Sequence, residues 1–367
     1  MLAELQKLKA SKSANNLSKL DHLFRTYDPQ AIDGDTPALV CELAKLASQT
    51  EFGTVRGQAL ATLEAIFDAC ESRAREFMLL PTPVLVHPAS PDNYTQTADP
   101  SPELAPVVSL TCIRGRIDRL AATIETINRQ ELRPQSINLY ISSEPYLLDK
   151  GISVDYDKLK VIHRMGVNVY VTPNIGPYRK QYFIISQLQR VRANPSTIVV
   201  TLDDDVLYPP DTLGKLVSVC RKEEAVTAQR GREMLVGGEG IARYKSFREA
   251  QSRKSHMNIA NGRNGIAYQL RFFPKDHNLY IGPFLAPTAD DLWCKWVTAY
   301  YCIPTIILEP KAAYDVRFDF AETSAFDKES LFHSYNARGN NDVAIGALEV
   351  YFQSRLIGLY TLHGGAR

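Results

Sequence analysis

The sequence predicts an α/β fold, a mostly parallel sheet flanked by helices, preceded by an α-helical unit. Three observations carry this. Apolar residues recur near a 3.6-residue period through the first 80 residues. A proline-rich stretch then breaks the pattern. From Pro106 onward, short β-branched runs alternate with amphipathic segments, the signature of parallel strands joined by crossover helices. The expected organisation is a helical unit over 1–80, a Pro-rich linker over 81–105 and an α/β domain over 106–367.

Within the first unit, Leu2, Leu5 and Leu8, then Leu17, Leu20, Leu23 and Phe24, mark helical faces. Asp35-Thr36-Pro37 reads as a helix start with Pro in the first turn, followed by Leu39, Val40, Leu43, Leu46 and Ala47. Val55–Phe77 is a further amphipathic run. The unit carries no chemical motif. A packing role comes first, and docking of a protein partner or self-association is open to it. Between Leu80 and Pro106 stand Pro81, Pro83, Pro88, Pro91, Pro100 and Pro102, a connecting composition.

Val107–Cys112 is a buried strand leading into Arg114-Gly115-Arg116 and a helix over Leu120–Asn128. Strands follow at Ser136–Ser142 and Val167–Val171, then a helix over Tyr178–Val191 with Tyr182, Ile185, Leu188 and Val191 on its apolar side. Ile198-Val199-Val200-Thr201-Leu202 is a strand buried on both faces. It ends in Asp203-Asp204-Asp205 and is stopped by Tyr208-Pro209-Pro210. A helix over Thr212–Arg221 and a short strand at Ala225–Ala228 come next. Asn258–Asn264, polar and Gly-bearing, is expected to be a loop. Thr288 reads as an N-cap for the segment Asp290-Asp291-Leu292-Trp293, Tyr301–Leu308 as the last strong strand, and Asp342–Leu356 as a final helix.

With 367 residues, a net charge of +1, 45% hydrophobic and 23% charged residues, the chain has ample material for a core and no basic excess that would favour nucleic acid or a membrane surface. The six cysteines show no C-x-x-C spacing, which points to a reducing compartment. The N-terminal stretch lacks the apolar centre of a signal peptide, and no apolar run reaches the ~18 residues of a membrane span. The expected location is cytoplasmic.

Three adjacent carboxylates at a strand's C-terminal end repel one another unless a cation lies between them, and ligands of open α/β sheets bind at those ends. A divalent ion, Mn²⁺ or Mg²⁺, held by one or two of the acids and by phosphate oxygens, is the expected neutraliser. The competing reading is a solvated acidic turn.

The ordered set Ser109-Leu110-Thr111 through Arg116, Asn128-Arg129-Gln130, Leu139-Tyr140-Ile141-Ser142, Lys180, Thr201 through Tyr208, Ala289 through Trp293 and Gly339-Asn340-Asn341-Asp342 resembles the GT-A-fold glycosyltransferases. Among these it resembles the inverting, family-2-like type of bacterial polysaccharide assembly, over about two-thirds of the chain. The resemblance implies a nucleotide-sugar donor, most commonly a UDP-sugar, and a glycan or lipid-linked glycan acceptor in capsule or O-antigen synthesis. It places the protein in the cytoplasm, free or peripheral to the inner membrane face.

Residue by residue, the resemblance implies that Thr111, Arg114, Glu144, Lys180 and Asp203 contact the nucleotide. Asp205 and Asp204 would hold the metal with His333 as a third ligand, Asp291 would be the base and Asp290 a clamp on the acceptor. Bland readings stand beside these: a surface lysine at 180, an exposed loop histidine at 333, and acids at 290 and 291 that only cap a helix. Trp293 either stacks on a sugar or fills the core, while Trp296 reads as core. The loop 258–265 matches the family's donor-side loop only loosely. A nucleotidyltransferase acting on a sugar phosphate, and a degenerate transferase domain serving as a binding module, are the competing functions. The first would want a more Gly-rich phosphate loop than Arg114-Gly115-Arg116.

Overall fold

The computed structural model describes residues 1–9, 15–50, 52–79, 83–88, 105–238, 240–308 and 330–355. Residues 81–82 and 89–104 of the expected linker lie outside this set. The chain forms two compact units, and the first is built from three separated stretches: Met1–Leu80, Lys275–Trp296 and Gly339–Arg367.

The first unit contains α1 (Leu2–Lys9), α2 (Asn15–Thr26), α3 (Thr36–Gln49) and α4 (Gly53–Leu79), and of the marked positions in α1 to α3 Leu5, Leu20, Leu39, Val40, Leu43 and Ala47 are buried. Along α4 the buried positions Val55, Ala59, Leu63, Ile66, Cys70, Ala74 and Met78 repeat every three or four residues. The last helix, Asn340–Arg355, packs on α3 so closely that a Cβ at Gly346 would meet the Cys41 sulfur at 2.8 Å. Its Tyr351 sets its ring edge-on to Phe67, and its hydroxyl hydrogen-bonds the Glu71 carboxylate at 3.0 Å. Phe284 stacks on Phe77. The N-terminal helices therefore complete their core with residues from about three-quarters of the way along the chain and from near its end.

The second unit, Pro81–Pro274 with Val297–Arg338, holds a mixed sheet. Its strands are β1 (Val84–His87), β2 (Val107–Thr111), β3 (Ser136–Ile141), β4 (Val167–Val171), β5 (Ile198–Leu202), β6 (Val226–Glu233), β9 (Arg248–Glu249), β10 (Lys254–Ser255), β11 (Asn258–Gln269) and β12 (Thr305–Ile307). The short β7 (Val236–Gly237) and β8 (Gly240–Ile241) form a separate hairpin. The main order is β1-β4-β3-β2-β5-β11-β6-β12-β10, with β9 beside β6. At its centre β4, β3, β2 and β5 run parallel, Leu110 lying opposite Leu139 on one side and Leu202 on the other.

Crossover helices α5 (Leu120–Asn128), α6 (Asp157–Arg164), α7 (Arg179–Arg190) and α8 (Thr212–Glu223) connect these strands, α7 packing on β2 and β3 and α8 on β5, β6 and β11. The fold class is the one that strand–helix alternation predicts. β1 is an addition: residues 84–87 of the expected linker pair antiparallel with β4.

The expectation of a loop at Asn258–Asn264 is overturned, because these residues belong to β11, antiparallel to both β5 and β6. Polar side chains that suggested a loop find partners inside the sheet through their donors. Asn258 is buried and its amide donates to the carbonyls of Arg253 and Thr305. The register breaks between Asn261 and Ile266, where Gly265 takes φ +95° and a Cβ would meet Leu202 at 2.8 Å.

Two short helices, α9 (Gly282–Leu285) and α10 (Asp290–Tyr300), precede β12. The backbone bonds of Leu292 and Trp293 N–H at the start of α10 go to the Ala289 carbonyl. Trp293 and Trp296 are wholly buried, their indole N–H groups donating to the Leu279 carbonyl and the Glu349 carboxylate. Trp293 is a core residue and offers no sugar platform.

Lys295, also on α10, is 3% exposed, and burial pushes its ammonium down to about 7. Between that value and the unperturbed value of about 10.4, the unfolded chain carries a proton that the folded chain lacks, so stability rises with pH there. Relative to Lys295→Met, the wild type should gain up to about 1.4 kcal/mol of unfolding free energy per pH unit from pH 7 to 10, read by urea denaturation of both proteins. A flat difference would mean that Lys295 stays charged in the fold.

Candidate functional site

The parallel core defines the site. From β2 the chain steps to β3 and β4 on one side, and β5 then inserts on the other side of β2. The C-terminal ends of β2 and β5 thus flank a point where strand order reverses, the place where open α/β sheets bind ligands. Asp203-Asp204-Asp205 leaves β5 there, and the turn Ile113–Arg119 leaves β2 beside it.

Hydrogen bonds fix the backbone of the acidic turn. The Asp203 N–H donates to the Tyr208 hydroxyl at 2.8 Å, closing the loop that Pro209-Pro210 terminates. The Thr123 hydroxyl of α5 donates to the Asp204 carbonyl at 3.0 Å, and Thr126 accepts from the Tyr208 N–H at 3.1 Å. Gln130, 1% exposed, donates to the Tyr208 and Pro209 carbonyls and accepts from Leu213 N–H at the start of α8. Each of these four side chains satisfies a turn group that the strand and helix ladders leave over.

Protein cations meet the carboxylates. Lys180, 5% exposed on the first turn of α7, places its ammonium 2.6 Å from Asp203 Oδ1. Arg116 sets one guanidinium nitrogen 3.0 Å from Asp204 Oδ1 and 3.1 Å from Asp205 Oδ2. Burial raises the Asp203 carboxyl, but the Lys180 ammonium, helped by Arg116 and Arg263, overrides it and holds the group below the usual carboxylate range. Asp205 goes the other way: burial and then the Asp204 charge push it up to about 6 against the pull of Arg116 and Arg263.

Asp205 is the acid whose ionised form the protein's own cations compensate least, and its side chain is 29% exposed. All-oxygen donors with one carboxylate open to solvent suit a hard divalent cation that completes its shell with water and phosphate. Among the described residues no three His, Cys, Asp or Glu side chains gather as a metal-holding group. His333 is exposed on the single turn Leu331–Ser334, its N–H donating to Ser330 Oγ.

Thr111, Glu144 and Arg114 lie at the exits of β2 and β3. Thr111 ends β2 with its hydroxyl on the Tyr140 carbonyl. Glu144 is exposed after β3, and its carboxylate accepts from the Asn174 N–H. Arg114 lays its guanidinium over the Tyr156 ring, 4.1 Å from the centroid, so the arginine that reaches the acids is Arg116. Asp290 and Asp291 occupy the first turn of α10 in the first unit, Asp290 8% exposed.

Sequence reasoning named Arg116, Tyr208 and Gln130 only as members of the matching segments and gave them no role. It passed over the ion pair of Arg179 with Asp149, at 2.9 Å and with both side chains at most 2% exposed. Asp149 also accepts from the N–H groups of Arg114 and Gly151, tying the β2 exit to the loop after β3 and to α7. The signals for Arg116, Tyr208 and Gln130 were the Arg-rich exit of β2, the Tyr-Pro-Pro stop and the Asn128-Arg129-Gln130 segment. Removing Asp149 leaves Arg179 buried without its counter-ion, so Asp149→Ala should destabilise the fold by about 3–5 kcal/mol in chemical denaturation. A loss under about 1 kcal/mol would make the pair dispensable.

No family model matches the sequence, and no curated protein matches it. Among solved structures the chain is similar to 4-diphosphocytidyl-2C-methyl-D-erythritol synthase, at 10% identity and a TM-score of 0.38 over 62% of this chain and 99% of that one. It is also similar to residues 1–349 of TarS from S. aureus, at 10% identity and a TM-score of 0.32 over 71% of this chain and 76% of that one. Likeness at this level says nothing of activity.

Proposed function

We propose that the chain is a metal-dependent, inverting glycosyltransferase that binds a nucleotide-sugar, of which a UDP-sugar is the first candidate, and transfers the sugar to a glycan or lipid-linked glycan acceptor of surface polysaccharide assembly. The observation that carries this is the placement of Asp203-Asp204-Asp205 at the switch point between β2 and β5, with Lys180 and Arg116 beside them. A nucleoside diphosphate needs both halves of that set: acids for a cation and the ribose hydroxyls, and cations for phosphate oxygens.

In this reading Asp205 and Asp204 hold Mn²⁺ or Mg²⁺, which supplies neutralisation of the diphosphate as it leaves. Asp203, kept ionised by Lys180, accepts from the nucleoside hydroxyls. Thr111, Arg114 and Glu144 border the nucleotide, and His333 is assigned to the late metal-ligand position that the resemblance implies. Asp291 takes the proton of the attacking acceptor hydroxyl and Asp290 orients that hydroxyl. Both stand where a helix N-terminus favours the ionised carboxylate.

A nucleotidyltransferase acting on a sugar phosphate is the second reading: it shares the acidic strand end, but would want a more Gly-rich phosphate loop than Arg114-Gly115-Arg116. Among the described residues no helix is long and apolar enough to cross a membrane.

A thermal-shift panel of nucleoside diphosphates, nucleotide-sugars and nucleoside triphosphates, each with Mn²⁺ and with EDTA, separates these readings. A ligand at 100 times its Kd stabilises by about 2.7 kcal/mol. A metal-dependent shift with one nucleotide-sugar is expected; a shift with a triphosphate alone selects nucleotidyl transfer, and a flat panel leaves a binding module.

Asp205→Ala should abolish transfer and weaken donor binding, and unchanged activity would remove the metal role. Asp291→Asn should keep donor binding while lowering kcat by about 10²–10⁴. Loss of donor affinity instead would take Asp291 out of the base role.

A further inference from the structure

The three carboxylates of the switch-point crevice face three cations of the chain itself. Lys180 pairs with Asp203, Arg116 bridges Asp204 and Asp205, and the charge of Arg263 acts on both Asp203 and Asp205. Arg116 lies between the two carboxylates that a divalent ion would use, and its side chain is 14% exposed. The guanidinium occupies one oxygen of each of these carboxylates, and its positive charge opposes a divalent cation in the same place.

We propose that Arg116 is a donor-phosphate ligand that stands in for the metal while the site lacks nucleotide. When a nucleotide arrives with its cation, the guanidinium gives up the two carboxylates and takes a phosphate oxygen of the diphosphate. This rests on the nucleotide-binding reading above and adds the residue that senses nucleotide and metal together.

The exchange is physically economical. In both states the acids face a cation: the shared guanidinium before, and the metal after, with the guanidinium then on phosphate. An uncompensated buried charge, the costly state, is avoided throughout. The guanidinium fork suits a carboxylate and a phosphate equally, whereas a lysine offers a single point of charge. The backbone beneath it is held, since Arg116 N–H donates to the Ile113 carbonyl and its own carbonyl accepts from Arg119 N–H, both at 3.0 Å. The movement therefore falls to the long side chain. Arg116 is also close in sequence to β2, the strand that borders β5 at the switch point, so its head reaches the crevice from the side opposite the acids' own strand.

The consequence is a competition that a merely structural arginine would not produce: without nucleotide, Arg116 lowers the affinity for metal, and with nucleotide it raises the affinity for the diphosphate. The test compares wild type, Arg116→Gln and Arg116→Lys at pH 8, with folding checked by circular dichroism. Free Mn²⁺ is followed by its paramagnetic resonance signal in the absence of nucleotide. Uridine, guanosine, cytidine and adenosine diphosphates are then titrated calorimetrically at saturating Mn²⁺.

Arg116→Gln should bind Mn²⁺ alone at least about tenfold more tightly and the preferred diphosphate at least about tenfold more weakly, each a change of about 1.4 kcal/mol. Arg116→Lys should fall between the two proteins on both measures, and it carries the test if the glutamine variant does not fold. Equal or weaker Mn²⁺ binding by the variants, or an unchanged diphosphate affinity beside a wild type that binds, overturns the role of Arg116 alone. A wild type that binds none of the four diphosphates with Mn²⁺ overturns the nucleotide reading, and the proposal with it.

Discussion

The repulsion among Asp203, Asp204 and Asp205 is the constraint on which the second unit depends. Three carboxylates on consecutive residues at a strand end are tolerable only where cations are brought to them, and the fold brings Lys180 from α7 and Arg116 from the β2 exit. The parallel core makes this geometry available. Because β2 and β5 are neighbours with their C-terminal ends level, residues leaving either strand share one crevice. Lys180 arrives through the crossover before β5, its own carbonyl accepting a hydrogen bond from Ser109 inside β2 at 2.6 Å. Strand pairing, crossover and charge balance are one arrangement seen at three scales.

A second shell of bonds keeps that balance in register. Asp149 binds Arg179, Arg114 N–H and Gly151 N–H together. Burial lowers the Arg179 guanidinium against the pull of Asp149, so desolvation is the larger effect on this group. A buried ion pair of this kind adds little net stability, but it fixes where the segments around it lie. Here the segments are the exits of β2 and β3 and the start of α7, which are the segments that deliver Thr111, Glu144 and Lys180 to the crevice.

What the sequence disclosed follows from how local each signal is. β5 was legible because a β-branched run meets three acids and a Tyr-Pro-Pro stop, all within 13 residues. The amphipathic faces of α3 and α4 were legible because a 3.6-residue period is a local property. β11 escapes a local reading because Asn and Gly favour turns, and only the finished sheet shows the Asn258 amide donating to Arg253 and Thr305 and Gly265 fitted against Leu202. The role of Arg116 was hidden for a similar reason. Arg114 and Arg116 differ by two positions in one basic turn, and only the fold shows one over Tyr156 and the other on the acids. The make-up of the first unit was beyond local reading altogether, since the contact of Gly346 with Cys41 joins residues 305 positions apart.

The acidic turn combines a fixed backbone with charges that can change partners. Tyr208, Thr123, Thr126 and Gln130 spend their hydrogen bonds on main-chain groups, so the Cα positions of Asp203–Pro209 follow α5 and α8 rather than whatever cation the side chains hold. The carboxylates themselves are engaged by side chains alone. A site that must accept a highly charged ligand, and release it, benefits from that division, because preorganised donors and acceptors need little reorganisation when the ligand arrives. In a turn whose backbone relied on the ion pairs, losing Arg116 from the acids would loosen the strand end. In this one it exposes two carboxylates already in place.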